Sequence, residues 1–192
     1  ALIVGQFEAT KYALSRDGVG IDKALARFAG CVNELSELYP VIAIDVNPSA
    51  SAFTEAVLSV ATHIVAPVMP NIHSYAGVKL LCDFLRMRGR ADLIARIVPV
   101  LTGFKSNRTL EDDRLIAAVR DNEDFGARTL AGMVDYSAYL TPRNDDPQGL
   151  GYLRNNRVGV NVRAVASLLL EELRKDAFQE AEQPSSRSAS TG

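Results

Sequence analysis

The chain has 192 residues, 47% of them hydrophobic and 23% charged, with 21 basic and 23 acidic side chains and a formal net charge of −2. That length and composition suit one soluble domain with a substantial core. The balanced charge excludes a globally basic nucleic-acid binder but leaves a local basic face open. No apolar run is long enough to span a bilayer, and Cys31 and Cys82 stand singly without CxxC spacing, so they read as two reduced core cysteines rather than a zinc or redox pair.

In chain order, residues 2–4 read as a short strand and 8–15 as a brief helix broken at Asp17-Gly18. ALIVGQFEAT has neither the basic lead of a signal peptide nor a Met, and it suggests the back part of a longer or processed protein. Over 21–38 the apolar positions Ala24, Leu25, Phe28, Val32, Leu35 and Leu38 recur at helical spacing. In YPVIAIDVNPSAS the run 41–44 predicts a buried strand that stops at Asp45, followed by a turn at Asn47-Pro48-Ser49. A helix over 52–60, a strand over 63–68 and an amphipathic helix over 74–87 come next. Then follow a buried strand over 97–101, a helix over 110–119, a strand over 129–134, a loop over 141–151 and a last helix from 162 to about 173. Alternating elements with continuous rather than alternating apolar strands predict an α/β fold, a mostly parallel sheet with helices on both faces. One domain over 1–178 and a disordered polar tail over 179–192 is the economical division.

A carboxylate such as Asp45, at the C-terminal end of a parallel strand, lies where ligands bind and suits indirect hold of magnesium beside a phosphate. Its plainer role is to cap a turn or the next helix. Asn47-Pro48 could form a rigid switch sensing a terminal phosphate, or an ordinary turn with Ser49 or Ser51 as N-cap. SRDGVGIDK, residues 15–23, is not a phosphate loop, because it lacks the Gly-Lys-Ser/Thr ending and carries Asp22, and no other stretch has that ending. His63 and His73 have no ligand spacing. Arginines and lysines gather at Arg86, Arg88, Arg90 and Arg96, at Lys105 and Arg108, and at Arg154, Arg157 and Arg163. They suit either phosphate-backbone contacts or solvated helix ends.

Together these segments resemble the ParA/MinD family of deviant Walker ATPases, the plasmid- and chromosome-partition branch most closely, up to about Leu173. YPVIAIDVNPS looks like the family's Walker B strand and switch II. Residues 53–85 look like its next βα unit, a strand ending in Pro-Val and a helix with a glycine, Gly77, near its start. RIVPVLTGFKSNRT looks like the following strand, with Thr102-Gly103 where the family often has Asn-Arg. LTPRNDDPQGL looks like the loop bordering the nucleotide base. The resemblance implies a P-loop-NTPase-like fold whose N-terminal phosphate-loop unit is missing from this chain. It also implies ATP or ADP with magnesium, a cytoplasmic homodimer, non-specific DNA binding and a ParB-type partner. By resemblance Asp45 is the Walker B acid, Asn47 and Pro48 belong to switch II, and Thr102, Pro142 and Arg143 lie near the base. Arg108, Arg154 and Arg157 are weaker DNA-face candidates. The chain is not expected to hydrolyse ATP alone. The alternatives are a catalytically inactive interaction module that docks through residues 52–87, or a MinD-like positioning ATPase. The mixed charges of the last helix fit poorly with a membrane-surface role for the latter.

Overall fold

A computed structural model describes residues 18–46, 52–137 and 157–182. The chain forms two compact units, Ala1–Ile64 and Val65–Gly192.

In the first unit, α1 (Gly18–Leu38) packs against α2 (Ala52–Val60). The α1 periodicity turns Leu25, Phe28, Val32 and Leu35 to a half-buried face, while Lys23, Arg27, Glu34 and Glu37 stay exposed. Val57 and Leu58 on α2 are buried. The buried strand expected over 41–44 is not formed. Residues 41–46 have no regular secondary structure, Val41 is 50% exposed, and Ile42 and Ile44 are half-buried. An apolar run favours burial, but a strand also needs neighbours for its backbone donors and acceptors, and this segment has no strand partner among the described residues.

The second unit is built on β1 (Ile64–Val68), α3 (Ile72–Met87), a 3₁₀ turn at Ala91–Arg96, β2 (Ile97–Phe104) and α4 (Leu110–Arg120). A 3₁₀ turn at Gly126–Arg128, β3 (Met133–Asp135) and α5 (Arg157–Glu182) complete it. The strands form a small parallel sheet in the order β1-β2-β3. Right-handed crossovers in one direction put both connecting helices on one face, and α3 and α4 do touch. α5 packs on β3, and Val165, Leu168 and Leu169 meet Val100, Leu130 and Val134 in one cluster. A Cβ on Gly132 would lie 2.7 Å from the Leu168 side chain, so the missing side chain lets α5 approach.

β2 is the central strand and is buried nearly throughout, as a continuous apolar run requires when both faces are covered. β1, at the sheet edge, alternates instead, with Ile64, Ala66 and Val68 buried and Val65 and Pro67 exposed, the pattern of a strand covered on one face. Pro99 sits inside β2 without loss. Its carbonyl accepts from Leu130 N at 2.9 Å, so its missing N–H faces the side where the β3 ladder begins only at Leu101.

The remaining differences from expectation are local. β3 covers only 133–135, because a 3₁₀ turn and bends occupy the chain just before it. α5 runs from Arg157 to Glu182, four residues into the expected polar tail. Cys82 is buried but Cys31 is exposed on α1, so only one of the two is a core cysteine. The expectations at residues 2–4, 8–15, 141–151 and 183–192 lie outside the described residues.

Candidate functional site

The three strands end together at one edge of the second unit. In an open parallel sheet, ligands bind in the crevice outside these carboxyl ends.

The turn leaving β1 is fixed by a reciprocal pair. Asn71, extended at φ −150° and ψ 147°, caps α3: its Oδ1 accepts from Ser74 N at 2.8 Å. Ser74 Oγ accepts from Met69 N at 3.0 Å and donates to the Pro67 carbonyl at 3.4 Å. Beside this turn, β2 carries a bulge: Thr102 pairs with Val134, Gly103 is skipped, and Phe104 pairs with Asp135. Gly103 has φ +76°, a conformation L side chains rarely adopt, and a Cβ there would stand 3.8 Å from Pro70 Cδ. The positive φ, rather than a lack of room, is what calls for glycine where the end of β2 lies beside the β1 turn.

On the other side, Tyr136 N donates to the Phe104 carbonyl at 2.8 Å. The exposed Lys105 ammonium lies 5.6 Å from the centre of the Tyr136 ring, a cation–π contact. Asn161 of α5 then pairs with β3 as a strand backbone would: its Nδ2 donates to the Met133 carbonyl at 3.1 Å and its Oδ1 accepts from Asp135 N at 2.9 Å. The rim thus offers backbone turns, the half-buried Thr102, an exposed aromatic ring and an ammonium, a set suited to a planar group next to an anion.

Of the residues singled out from the sequence, Thr102 lies in this site. Arg108 lies near it, with Nη1 3.5 Å from Met133 Sδ, and it pairs with Asp113 at 3.3 Å. Asp45 is exposed, in the first unit. Arg157 is exposed at the first position of α5. Asn47, Pro48, Pro142, Arg143 and Arg154 lie outside the described residues. Among the described residues no three His, Cys, Asp or Glu side chains are grouped to hold a metal ion. One exposed carboxylate such as Asp45 does not hold magnesium by itself, and it suits only an indirect contact with a metal that a phosphate carries.

Much of the arginine cluster is engaged with acids. Arg86 bonds Asp83 at 3.3 Å and Asp124, and the Asp124 hydrogen bond raises its pKa further. Arg90 lies 3.2 Å from Asp92 and holds that carboxyl below its usual range. Burial, reinforced by Asp124, pushes the Cys82 thiol from 9.0 up to about 11.

Sequence reading missed Asn71, Ser74, Gly103 and Asn161. The Asn-x-x-Ser cap and a glycine ending an apolar strand were available as signals. Asn161 had none, because its β3 partners lie 26 and 28 residues away. Among the described residues no helix is long and apolar enough to cross a membrane. No family model, curated protein or solved structure matches the chain.

Proposed function

We propose that the chain is the part of a ParA-type partition ATPase that follows the phosphate loop. In this reading it acts as a cytoplasmic homodimer with a P-loop-NTPase-like fold, takes ATP or ADP with magnesium, binds DNA without sequence preference and responds to a ParB-type partner. The observation that carries the reading is the carboxyl end of the parallel sheet, where the bulge at Gly103 lies between the β1 turn and Tyr136. The ordered resemblance from YPVIAIDVNPS to LTPRNDDPQGL supports the same reading.

The resemblance assigns Thr102, Pro142 and Arg143 to the base, Asn47-Pro48 to the terminal phosphate and Asp45 to the metal–phosphate group. Arg108, Arg154 and Arg157 face DNA. The 192 residues contain no Gly-Lys-Ser/Thr loop, so this chain alone binds nucleotide weakly and does not turn it over. Calorimetric titration with ATP and magnesium tests this. Saturable binding is expected, lost in Gly103→Val and stripped of its magnesium dependence in Asp45→Ala. Binding untouched by Gly103→Val contradicts the site.

A second reading, an interaction module without nucleotide, is favoured by the exposure of Asp45. It predicts no binding in the same titration.

A further inference from the structure

β3 lies at an edge of the sheet, so one row of its backbone groups has no strand to pair with among the described residues. Alternate residues of a strand address opposite neighbours. Tyr136 N donates to the Phe104 carbonyl at 2.8 Å, so Val134 and Tyr136 face β2, and Met133 and Asp135 face outward. Both outward groups are taken by one side chain of α5. Asn161 Nδ2 donates to the Met133 carbonyl at 3.1 Å, and Asn161 Oδ1 accepts from Asp135 N at 2.9 Å. In a parallel ladder one residue donates to the residue before its opposite and accepts from the residue after it. The Asn161 amide makes that pair of bonds around Val134, in place of a fourth strand.

This clip is separate from what docks the helix. α5 is held to the sheet by Val165, Leu168 and Leu169, which meet Val100, Leu130 and Val134 one to two turns further along. Asn is a weaker helix former than Ala, and here it sits inside a helix, so what it contributes is its two bonds. Those bonds fix Asp135 from the outer side, and the Phe104 carbonyl fixes Tyr136 from the inner side. Consecutive residues are thus pinned from both directions where the strand ends. The Tyr136 ring, 55% exposed, projects from that point, with the Lys105 ammonium 5.6 Å from its centre.

We propose that Asn161 is a positioning residue of the rim: by completing the outer edge of β3 it holds Tyr136 where the ring takes the planar base of a nucleotide and Lys105 meets the adjoining phosphate. The inference rests on the nucleotide reading of the carboxyl edge. Asn161 itself touches no part of the ligand.

Calorimetric titration of the full chain with ATP and magnesium tests it through a double-mutant cycle. Tyr136→Leu, which removes the stacking face, is expected to weaken binding about tenfold, and Tyr136→Phe to leave it unchanged. Asn161→Ala is expected to weaken binding about tenfold as well. Asn161→Asp does the same, because a carboxylate oxygen replaces the donor to the Met133 carbonyl. Adding Asn161→Ala to Tyr136→Leu costs nothing further, since the residue acts through a ring that is no longer there. Hydrogen exchange without nucleotide reads the same step: in Asn161→Ala the amides of Asp135 and Tyr136 exchange faster, while those inside β2 stay protected and verify the fold. Wild-type binding that Asn161→Ala leaves unchanged overturns the proposal. So does a double variant weakened by the product of the two single losses, and in both cases the nucleotide reading stands. A wild type that binds no ATP removes the nucleotide reading and the proposal with it.

Discussion

Residues 41–46 and β2 are both short apolar stretches, and they end differently. In β2, Ile97, Val98 and Leu101 are fully buried, with a strand on each side of it in the sheet. In 41–46, Val41 is half in solvent and Asp45 is exposed, with no strand pairing. Side-chain hydrophobicity is similar in the two. What differs is the supply of neighbours: β2 has β1 and β3 for its backbone and α5 among the elements packed on its side chains, so most of its residues gain both a hydrogen-bond partner and a covered face.

The largest test of this contrast is truncation. Phe104→Ala, at 1% exposure, is expected to lower unfolding free energy by about 3–5 kcal/mol, whereas Ile42→Ala costs about 1 kcal/mol or less. Urea denaturation measures both, and equal losses would break the comparison. Glycines sharpen it next. A Cβ on Gly126 would meet the Arg120 carbonyl, so Gly126→Ala should cost about 1–3 kcal/mol. Gly30, inside α1 with nothing within 4 Å of an added Cβ, should gain about 0.5–1 kcal/mol as alanine, because helix propensity alone decides there.

The smallest effect concerns the cysteines. A thiol reagent at neutral pH should modify exposed Cys31 in the native protein and leave Cys82 untouched. The folded Cys82 thiol ionises near 11 rather than 9.0, so its contribution to stability is complete below 9.0 and is lost as pH rises towards 11. Relative to wild type, Cys82→Ala should flatten the decline in melting temperature over that range, and Cys31→Ala should not.

Helices were the most legible part of the chain. The spacing in α1 and the Thr109-x-x-Asp112 box that opens α4 are local signals, and both N–H bonds of that box form, at 2.8 and 3.1 Å. β2 was legible because a central strand needs an unbroken apolar run. The chain before β3 misled because Leu130 looks like strand but packs into the α5 cluster from an irregular segment between bends, two residues before a glycine that α5 crowds. Of the site, Thr102 was reached through the resemblance of RIVPVLTGFKSNRT to a family strand. Gly103 stood beside it, but its role depends on the bulge opposite β3, and Asn161 depends on β3 as well, both set by pairings distant in sequence.

The most direct test of the proposed site is hydrogen–deuterium exchange with and without ATP and magnesium. The account predicts slower exchange on adding nucleotide over residues 102–105 and 69–74, with the interior of β2 already protected and unchanged. Identical exchange at both rim segments, at nucleotide concentrations that saturate the calorimetric signal, would contradict it.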